Sequence, residues 1–153
     1  MSVPAVGQAA PDFTLASTSG ESVTLSALKG KSTVLLAFFP LAFTSTCTAE
    51  LCEFRDNFDA LAGYGVTILP ISVDSVPTLK EFKAKHQMRT EMLSDFKREA
   101  SKAYGVLLPE HFFSNRAYFL VDKNGILRWA HVESTPSQKR DLNEVVEEIK
   151  KVA

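Results

Sequence analysis

The chain has 153 residues, of which 45% are hydrophobic and 11 are phenylalanine, so we expect residues 1–153 to form one domain with a substantial core. Seventeen basic and eighteen acidic side chains leave a formal net charge of −1, and the basic residues are scattered along the chain. Because no basic patch is present, the composition argues against nucleic-acid and membrane partners. It favours small molecules or other soluble proteins.

The first thirteen residues, MSVPAVGQAAPDF, have neither a basic leader nor a long apolar segment. The longest apolar run, from Val34 to Phe43, is interrupted by Pro40 and is shorter than the ~20 residues that span a bilayer. We therefore expect a cytoplasmic protein. In the cytoplasm, paired cysteines are more often catalytic, redox-active or metal-binding than structural.

The first predicted elements are a short hairpin, a buried strand and a helix. Phe13–Leu15 and Ser22–Leu25 flank a Ser-Gly-rich turn, which predicts the hairpin, and the apolar run Thr33–Phe39 predicts a strand covered on both faces. A helix follows, because apolar residues recur at spacings of three and four. Its predicted buried face consists of Cys47, Leu51, Phe54, Phe58 and Leu61.

The middle of the chain continues the alternation of strands and helices. Val66–Val73 predicts another buried strand, and Pro77 is typical of a helix N-terminus, here of a helix that continues to about Met88. Met92 and Leu93 predict a short strand, and Arg98–Tyr104 predicts a brief helix before a loop.

The last part of the chain predicts a hairpin and a final helix. Arg116–Val121 and Ile126–His131 flank an Asn-Gly pair, which is a strong hairpin signal. Ser137–Val152 has the periodicity of an amphipathic helix. The order of elements predicts an α/β, thioredoxin-like, three-layer fold, with a central mixed sheet flanked by helices and an N-terminal hairpin.

Both cysteines of the chain lie in the helix that follows the first buried strand. Cys47 is at or next to its first turn, where unpaired backbone amides and the positive end of the helix dipole favour a thiolate. The carboxyl ends of strands in open α/β sheets are also where ligand crevices form. These features predict a reactive thiolate at Cys47, the alternative being an inert thiol.

Cys52 lies five residues after Cys47, which in an intact helix means about 7.5 Å of rise and about 140° of rotation. The two sulfur atoms would then point apart. A disulfide requires Cα atoms within roughly 7 Å, so bridging this pair requires the first turns of the helix to unwind. The alternative is that Cys52 is a small hydrophobic packing residue.

The segment Pro40-Leu-Ala-Phe-Thr44-Ser-Thr-Cys47 resembles the Pro-x-x-x-Thr-x-x-Cys signature of the peroxiredoxins, thiol-dependent peroxidases with a thioredoxin-like fold. The resemblance includes APDFTL near the N-terminus, CTAELCEFRD after the signature and SNRAYFLVDKNGILRW in the predicted hairpin. The chain is similar to both the bacterioferritin-comigratory-protein (Q-type) branch and the one-cysteine alkyl hydroperoxide reductase E branch. The family resemblance implies an enzyme without a cofactor.

The resemblance also implies roles for individual residues. Cys47 would be the peroxidatic cysteine, Thr44 the hydroxyl that hydrogen-bonds the peroxide, Pro40 the shield of the thiolate, and Arg116 the active-site guanidinium. Glu50 would help to hold the hydrogen bonds of the site. From the residues alone, other interpretations are a turn residue for Thr44, a strand terminator for Pro40, a surface arginine for Arg116, and a first-turn acidic residue for Glu50.

The two branches differ in the step after peroxide reduction. The Cys-x4-Cys spacing is that of Q-type enzymes, in which Cys52 would resolve a sulfenic acid at Cys47 and thioredoxin or a similar dithiol would reduce the disulfide. In a one-cysteine enzyme an external thiol would instead resolve the sulfenic acid at Cys47. The branches also differ in assembly, so the resemblance implies a monomer or a homodimer, acting on hydrogen peroxide or organic hydroperoxides.

Three other functions compete with this interpretation. A thiol–disulfide oxidoreductase of thioredoxin type would have the same fold, but it requires a Cys-x-x-Cys spacing that this chain lacks. A metal site would have to combine the two cysteines with His86, His111 or His131, and no typical ligand spacing supports it. The third is a partner-binding thioredoxin-like module without peroxidase activity.

Overall fold

The computed structural model describes residues 2–152, which form nine strands and five α-helices. The strands are β1 (Thr14–Ser17), β2 (Ser22–Thr24), β3 (Thr33–Phe38), β4 (Val66–Ser72), β5 (Leu93–Ser94), β6 (Leu107–Leu108), β7 (Phe113–Ser114), β8 (Ala117–Val121) and β9 (Leu127–Val132). The helices are α1 (Ser45–Asp56), α2 (Phe58–Ala62), α3 (Val76–His86), α4 (Glu99–Ala103) and α5 (Leu142–Val152), with a 3₁₀ helix at Leu25–Leu28.

Seven strands form one mixed sheet in the order β2-β1-β5-β4-β3-β8-β9. The central strand β3 pairs in parallel with β4 and antiparallel with β8. The N-terminal hairpin β1–β2 and the hairpin β8–β9 lie at opposite ends of this order, and both match the sequence predictions. The short pair β6–β7 forms a separate sheet within a segment for which the sequence predicts a loop.

Both faces of the sheet are covered, as the continuous apolar run of β3 predicts. Alternate residues of β3 enter two separate cores: Leu35 and Ala37 pack with helices α1, α3 and α5, whereas Leu36 and Phe38 pack against the opposite layer, which includes α4. This strand is therefore buried along its whole length. Its burial and its pairing with β4 and β8 fix where the following loop and helix begin.

Two predicted helices have different bounds in the structure. The helix predicted through Leu61 is interrupted at Asn57, whose side chain donates a hydrogen bond to the carbonyl of Glu53 and thus competes with continued helical pairing. The last helix begins at Leu142 rather than Ser137, and the Asp141 carboxylate accepts a hydrogen bond from the Asn143 amide at this start. Residues 133–141 instead form an irregular segment, here called the strap.

Within residues 2–152, none of the helices combines the length and the apolar character that crossing a bilayer requires.

Candidate active site

The topology places Cys47 and Arg116 at the same end of the sheet. Strand β3 leads into the loop that precedes α1, and Cys47 lies in the first turn of that helix. Strand β8 runs antiparallel to β3, with Ala117 opposite Phe38, so the residue before β8 lies beside the end of β3. Arg116 is that residue, which is why it reaches a cysteine 69 positions earlier in the chain.

Arg116 contacts the sulfur of Cys47 directly. Its Nη2 atom donates a hydrogen bond to Cys47 Sγ at 2.8 Å, and the two residues are 0% and 1% exposed. Nε and Nη2 of Arg116 also donate to the carbonyl of Pro136, at 3.3 and 3.0 Å. The guanidinium is thus held from several directions, and the interpretation of Arg116 as a surface arginine is wrong.

Glu50 is the second partner of Arg116. Nη1 of Arg116 donates to Glu50 Oε1 at 2.8 Å, and the hydroxyl of Tyr118 donates to Glu50 Oε2. Glu50 is buried in the second turn of α1, and the first turn contains no acidic residue, so its interpretation as a first-turn residue that offsets the dipole is wrong. Cys47, Arg116, Glu50 and Tyr118 form one connected group, here called the buried cluster.

Burial and pairing act against each other in the buried cluster. Burial raises the pKa of Glu50 above its ordinary value, and the neighbouring Arg116 and the Tyr118 hydroxyl offset only part of this rise. Burial alone would lower the pKa of Arg116, but Glu50 and Cys47 together outweigh it and raise that pKa. Burial is the main cause that raises the pKa of Tyr118, and the charge of Glu50 raises it further. The tyrosine therefore acts as a hydrogen-bond donor.

The strap closes over the buried cluster and is itself held by a buried carboxylate. Glu133 accepts hydrogen bonds from Arg140 Nε at 2.8 Å and Nη2 at 3.1 Å, which joins the two ends of the strap. Asn115 connects the strap to the strand, because its side chain donates to the Glu133 carbonyl and accepts from the Arg116 amide. These contacts fix the carbonyl of Pro136 against the guanidinium.

The loop before α1 contains the other residues of the signature. Pro40 is buried two residues after the end of β3, and Thr44 is exposed, with its hydroxyl donating to the Leu41 carbonyl at 2.8 Å. Phe43 has a φ of 68°, a left-handed conformation that is uncommon for an aromatic residue. Its ring packs edge-on against that of Phe82, with 5.2 Å between the ring centroids. The turn at Phe43 directs the following residues into α1.

Cys52 lies in the same uninterrupted helix as Cys47, and both cysteines are free. It is half-buried, whereas Cys47 is buried. Helix geometry separates the two side chains by about 140° around the axis, as the sequence predicts for an intact helix. The structure therefore does not bring Cys52 into the buried cluster.

The three histidines lie apart in the fold. The ring of His86 packs on Phe82, that of His111 stacks on Phe113, and His131 lies 3.2 Å from Glu133. Across the part of the chain that the structure describes, no three His, Cys, Asp or Glu residues are grouped so that they could hold a metal ion.

Sequence reasoning did not identify Tyr118, Glu133, Asn115 or the Pro136 carbonyl as parts of the site. Tyr118 could have been identified from the sequence, because residues two apart on a strand share a face and Tyr118 follows Arg116 by two. A backbone carbonyl such as that of Pro136 has no signature in side-chain patterns. Its position depends on how the strap folds back over β8.

The fold and the buried cysteine define a class, the thioredoxin-like thiol proteins. Among solved structures, the reduced 2-Cys peroxiredoxin of Plasmodium vivax matches with a TM-score of 0.88 and 33% identity, covering 96% of this chain and 81% of that one. The 2-Cys peroxiredoxin of Plasmodium falciparum mitochondria matches with a TM-score of 0.86 and 29% identity, over 97% and 94% of the two chains. The predicted fold class is confirmed.

The sequence profile of the AhpC/TSA family matches residues 6–130. Alkyl hydroperoxide reductase E of Mycobacterium tuberculosis is 40% identical over 138 residues, covering 89% of this chain and 90% of that protein. The putative peroxiredoxin Bcp of Coxiella burnetii is 40% identical over 128 residues, covering 80% and 84%. The chain belongs to the AhpC/TSA family, and the predicted peroxiredoxin enzyme is confirmed.

Proposed function

We propose that the protein reduces hydrogen peroxide and organic hydroperoxides through the thiol of Cys47. The observation that carries this proposal is the 2.8 Å contact between Arg116 Nη2 and the buried Cys47 sulfur. A fixed cation favours the thiolate, which is the nucleophilic form of cysteine. The sulfur attacks one peroxide oxygen, an S–O bond forms and the O–O bond breaks. Cys47 loses two electrons and becomes a sulfenic acid.

The leaving oxygen carries away the electron pair of the broken bond as hydroxide or alkoxide, and it becomes water or an alcohol when it takes up a proton. Preorganised donors in a water-poor site stabilise this developing negative charge. Arg116 supplies the Nη2 donor that contacts the sulfur, and the first turn of α1 supplies backbone amides that have no partner within the helix. The Thr44 hydroxyl, exposed at the start of α1, is a further proposed donor to the peroxide, with Pro40 limiting access of water.

The second step of the proposal is resolution by Cys52. Its thiol attacks the sulfur of the Cys47 sulfenic acid, water leaves, and an intramolecular disulfide forms. Because Cys52 lies about 140° around an intact α1 from Cys47, the helix must unwind locally before the two sulfurs can meet. A thioredoxin-type dithiol then reduces the disulfide and becomes a disulfide itself.

A second candidate is a one-cysteine cycle, and the continuity of α1 favours it. Both cysteines lie within one helix of 12 residues, and Cys52 is half-buried beside Arg55 rather than in the buried cluster. If the helix stays wound after oxidation, an external thiol has to reduce the Cys47 sulfenic acid. Cys52 would then be a packing residue.

Intact mass after one equivalent of hydrogen peroxide distinguishes the two cycles. We expect the parent to lose two hydrogens, the Cys52→Ser variant to accumulate a sulfenic acid that a specific reagent traps, and the Cys47→Ser variant to remain unmodified. Sulfenic or sulfinic acid in the parent without a disulfide would establish the one-cysteine cycle. A parent that does not react with peroxide would refute the peroxidase proposal.

A further inference from the structure

The buried carboxylate of Glu50 holds the helical segment between the two cysteines in place. Glu50 lies three residues after Cys47 and two before Cys52, and it is 3% exposed. Its two oxygens have different partners, because Arg116 Nη1 contacts Oε1 and the Tyr118 hydroxyl contacts Oε2. Because Glu50 lies between the two cysteines, unwinding of the segment that joins them would break both of these contacts.

We propose that Tyr118 is a positioning residue that latches α1 through Glu50 and so sets the rate at which Cys52 reaches an oxidised Cys47. This inference rests on the proposed function, in which local unwinding precedes the disulfide. The latch is anchored outside α1, since the Tyr118 oxygen accepts a hydrogen bond from the Arg140 amide at 3.0 Å. Arg140 is in turn held by Glu133.

Oxidation changes which contacts hold the helix. As a thiolate, Cys47 attracts Arg116 by charge as well as by a hydrogen bond, whereas a sulfenic acid is neutral and keeps only the weaker contact. The Glu50 contacts to Arg116 Nη1 and the Tyr118 hydroxyl do not involve the sulfur, so the loss of the thiolate charge does not remove them directly.

Burial of Glu50 makes the wound state sensitive to each remaining contact. A buried carboxylate favours states in which water solvates it, and the raised pKa of Glu50 reflects this cost. Unwinding returns the carboxylate to water, whereas the Tyr118 and Arg116 contacts oppose that change. Loss of the Tyr118 hydroxyl should shift α1 towards the unwound state by about fivefold or more.

Tyr118 differs from Arg116 in one respect that makes the idea testable. Its hydroxyl contacts Glu50 and the Arg140 amide, whereas Arg116 touches the sulfur itself. The change Tyr118→Phe should therefore act on the unwinding of α1, which hydrogen exchange measures separately from the reaction with peroxide. A matched control is Tyr104→Phe, because Tyr104 is also buried and donates its hydroxyl to the Pro11 carbonyl in the opposite core.

The first readout is amide hydrogen exchange of residues 48–52 in the reduced protein, which does not depend on cysteine chemistry. We expect exchange about fivefold or more faster in Tyr118→Phe than in the parent, with the parent rate in Tyr104→Phe. Parent-like exchange in Tyr118→Phe, or equal acceleration in both variants, would overturn the latch.

The second readout is single-turnover reaction with peroxide. We expect the disulfide to form from the sulfenic acid about fivefold faster in Tyr118→Phe than in the parent, and less sulfinic acid to accumulate at high peroxide. Slower or unchanged disulfide formation would also overturn the latch. A parent that consumes peroxide but forms no disulfide would refute resolution by Cys52 instead, and the exchange rates would still decide whether Tyr118 holds α1.

Discussion

Oppositely charged side chains pair both in the buried cluster and along α5, but their access to water differs. In the buried cluster, Arg116 and Glu50 pair at 2.8 Å with almost no access to water. On α5, Lys150 pairs with Glu147 at 3.3 Å and Lys151 with Glu148 at 3.1 Å, and both lysines remain largely exposed. The geometries are similar, but the surroundings differ.

The surroundings decide what each pair contributes. Exposed pairs are screened by water and lose side-chain entropy when they form, so they add little to stability. A buried pair has already lost its hydration, and removing one partner leaves the other as an uncompensated buried charge. The buried cluster is therefore costly to disturb, whereas the α5 pairs are not.

The largest expected effect comes from removing the cation of the buried cluster. Arg116→Met should slow oxidation of Cys47 by hydrogen peroxide about 10²- to 10³-fold, because a preorganised donor to the reacting atoms is lost. Stopped-flow measurement of Cys47 oxidation checks this. The control is Arg128→Met, which removes a half-exposed guanidinium paired with Asp122. This variant should keep the parent rate. An Arg116→Met rate within tenfold of the parent would contradict the proposed role.

The strap provides an intermediate case. Glu133 is buried and is held by the partly exposed Arg140, so Glu133→Gln should lower the free energy of unfolding by about 1–3 kcal/mol. Denaturant unfolding measures this loss. Glu144→Gln removes an exposed partner of the same arginine and should cost less than about 0.5 kcal/mol. Equal losses in the two variants would mean that burial of Glu133 does not matter.

The raised pKa of Glu50 predicts a pH dependence with a definite sign. Between the ordinary value of 4.5 and the higher folded value, the folded protein binds the proton more readily than the unfolded chain. The contribution of Glu50 to stability is therefore present at low pH and is lost as the pH rises through the folded pKa. The two side chains bonded to Glu50, Arg116 and Tyr118, both have raised pKa values and keep their charge states in this range.

Unfolding of the parent and of Glu50→Gln from pH 7 towards pH 5 tests this sign. We expect the stability of the parent relative to the variant to rise as the pH falls, because only the parent can take up the proton at this position. A relative stability that falls over the same range would show that pairing with Arg116 outweighs burial.

The smallest expected effect lies on α5. Lys151→Ala should change the free energy of unfolding by less than about 0.5 kcal/mol, because Lys151 is exposed and water screens its pair with the half-buried Glu148. The matched change on the buried face of the same helix, Ile149→Ala, should cost about 2–5 kcal/mol in the same denaturation experiment. A large loss in Lys151→Ala would show that exposed pairs of this helix do matter.

Local patterns predicted most of the elements and part of the site. The apolar run of β3, the Asn-Gly turn of β8–β9 and the spacing of Val145 and Ile149 each gave the correct element. Element bounds were less predictable where side chains compete with the helix, as at Asn57, or where the strap displaces the start of α5. Family resemblance, rather than periodicity, pointed to Arg116 and Glu50.

The sequence by itself determined the α/β order, the cysteine at the start of a helix and the five-residue separation from the second cysteine, because these features depend on neighbouring residues. Only the tertiary structure decided that Arg116, 66 residues after Glu50, meets it in a water-poor core. It also placed the Tyr118 hydroxyl on the carboxylate and the Pro136 carbonyl on the guanidinium. Such contacts arise from strand register and burial, and desolvation gives them an energetic weight that no local pattern records.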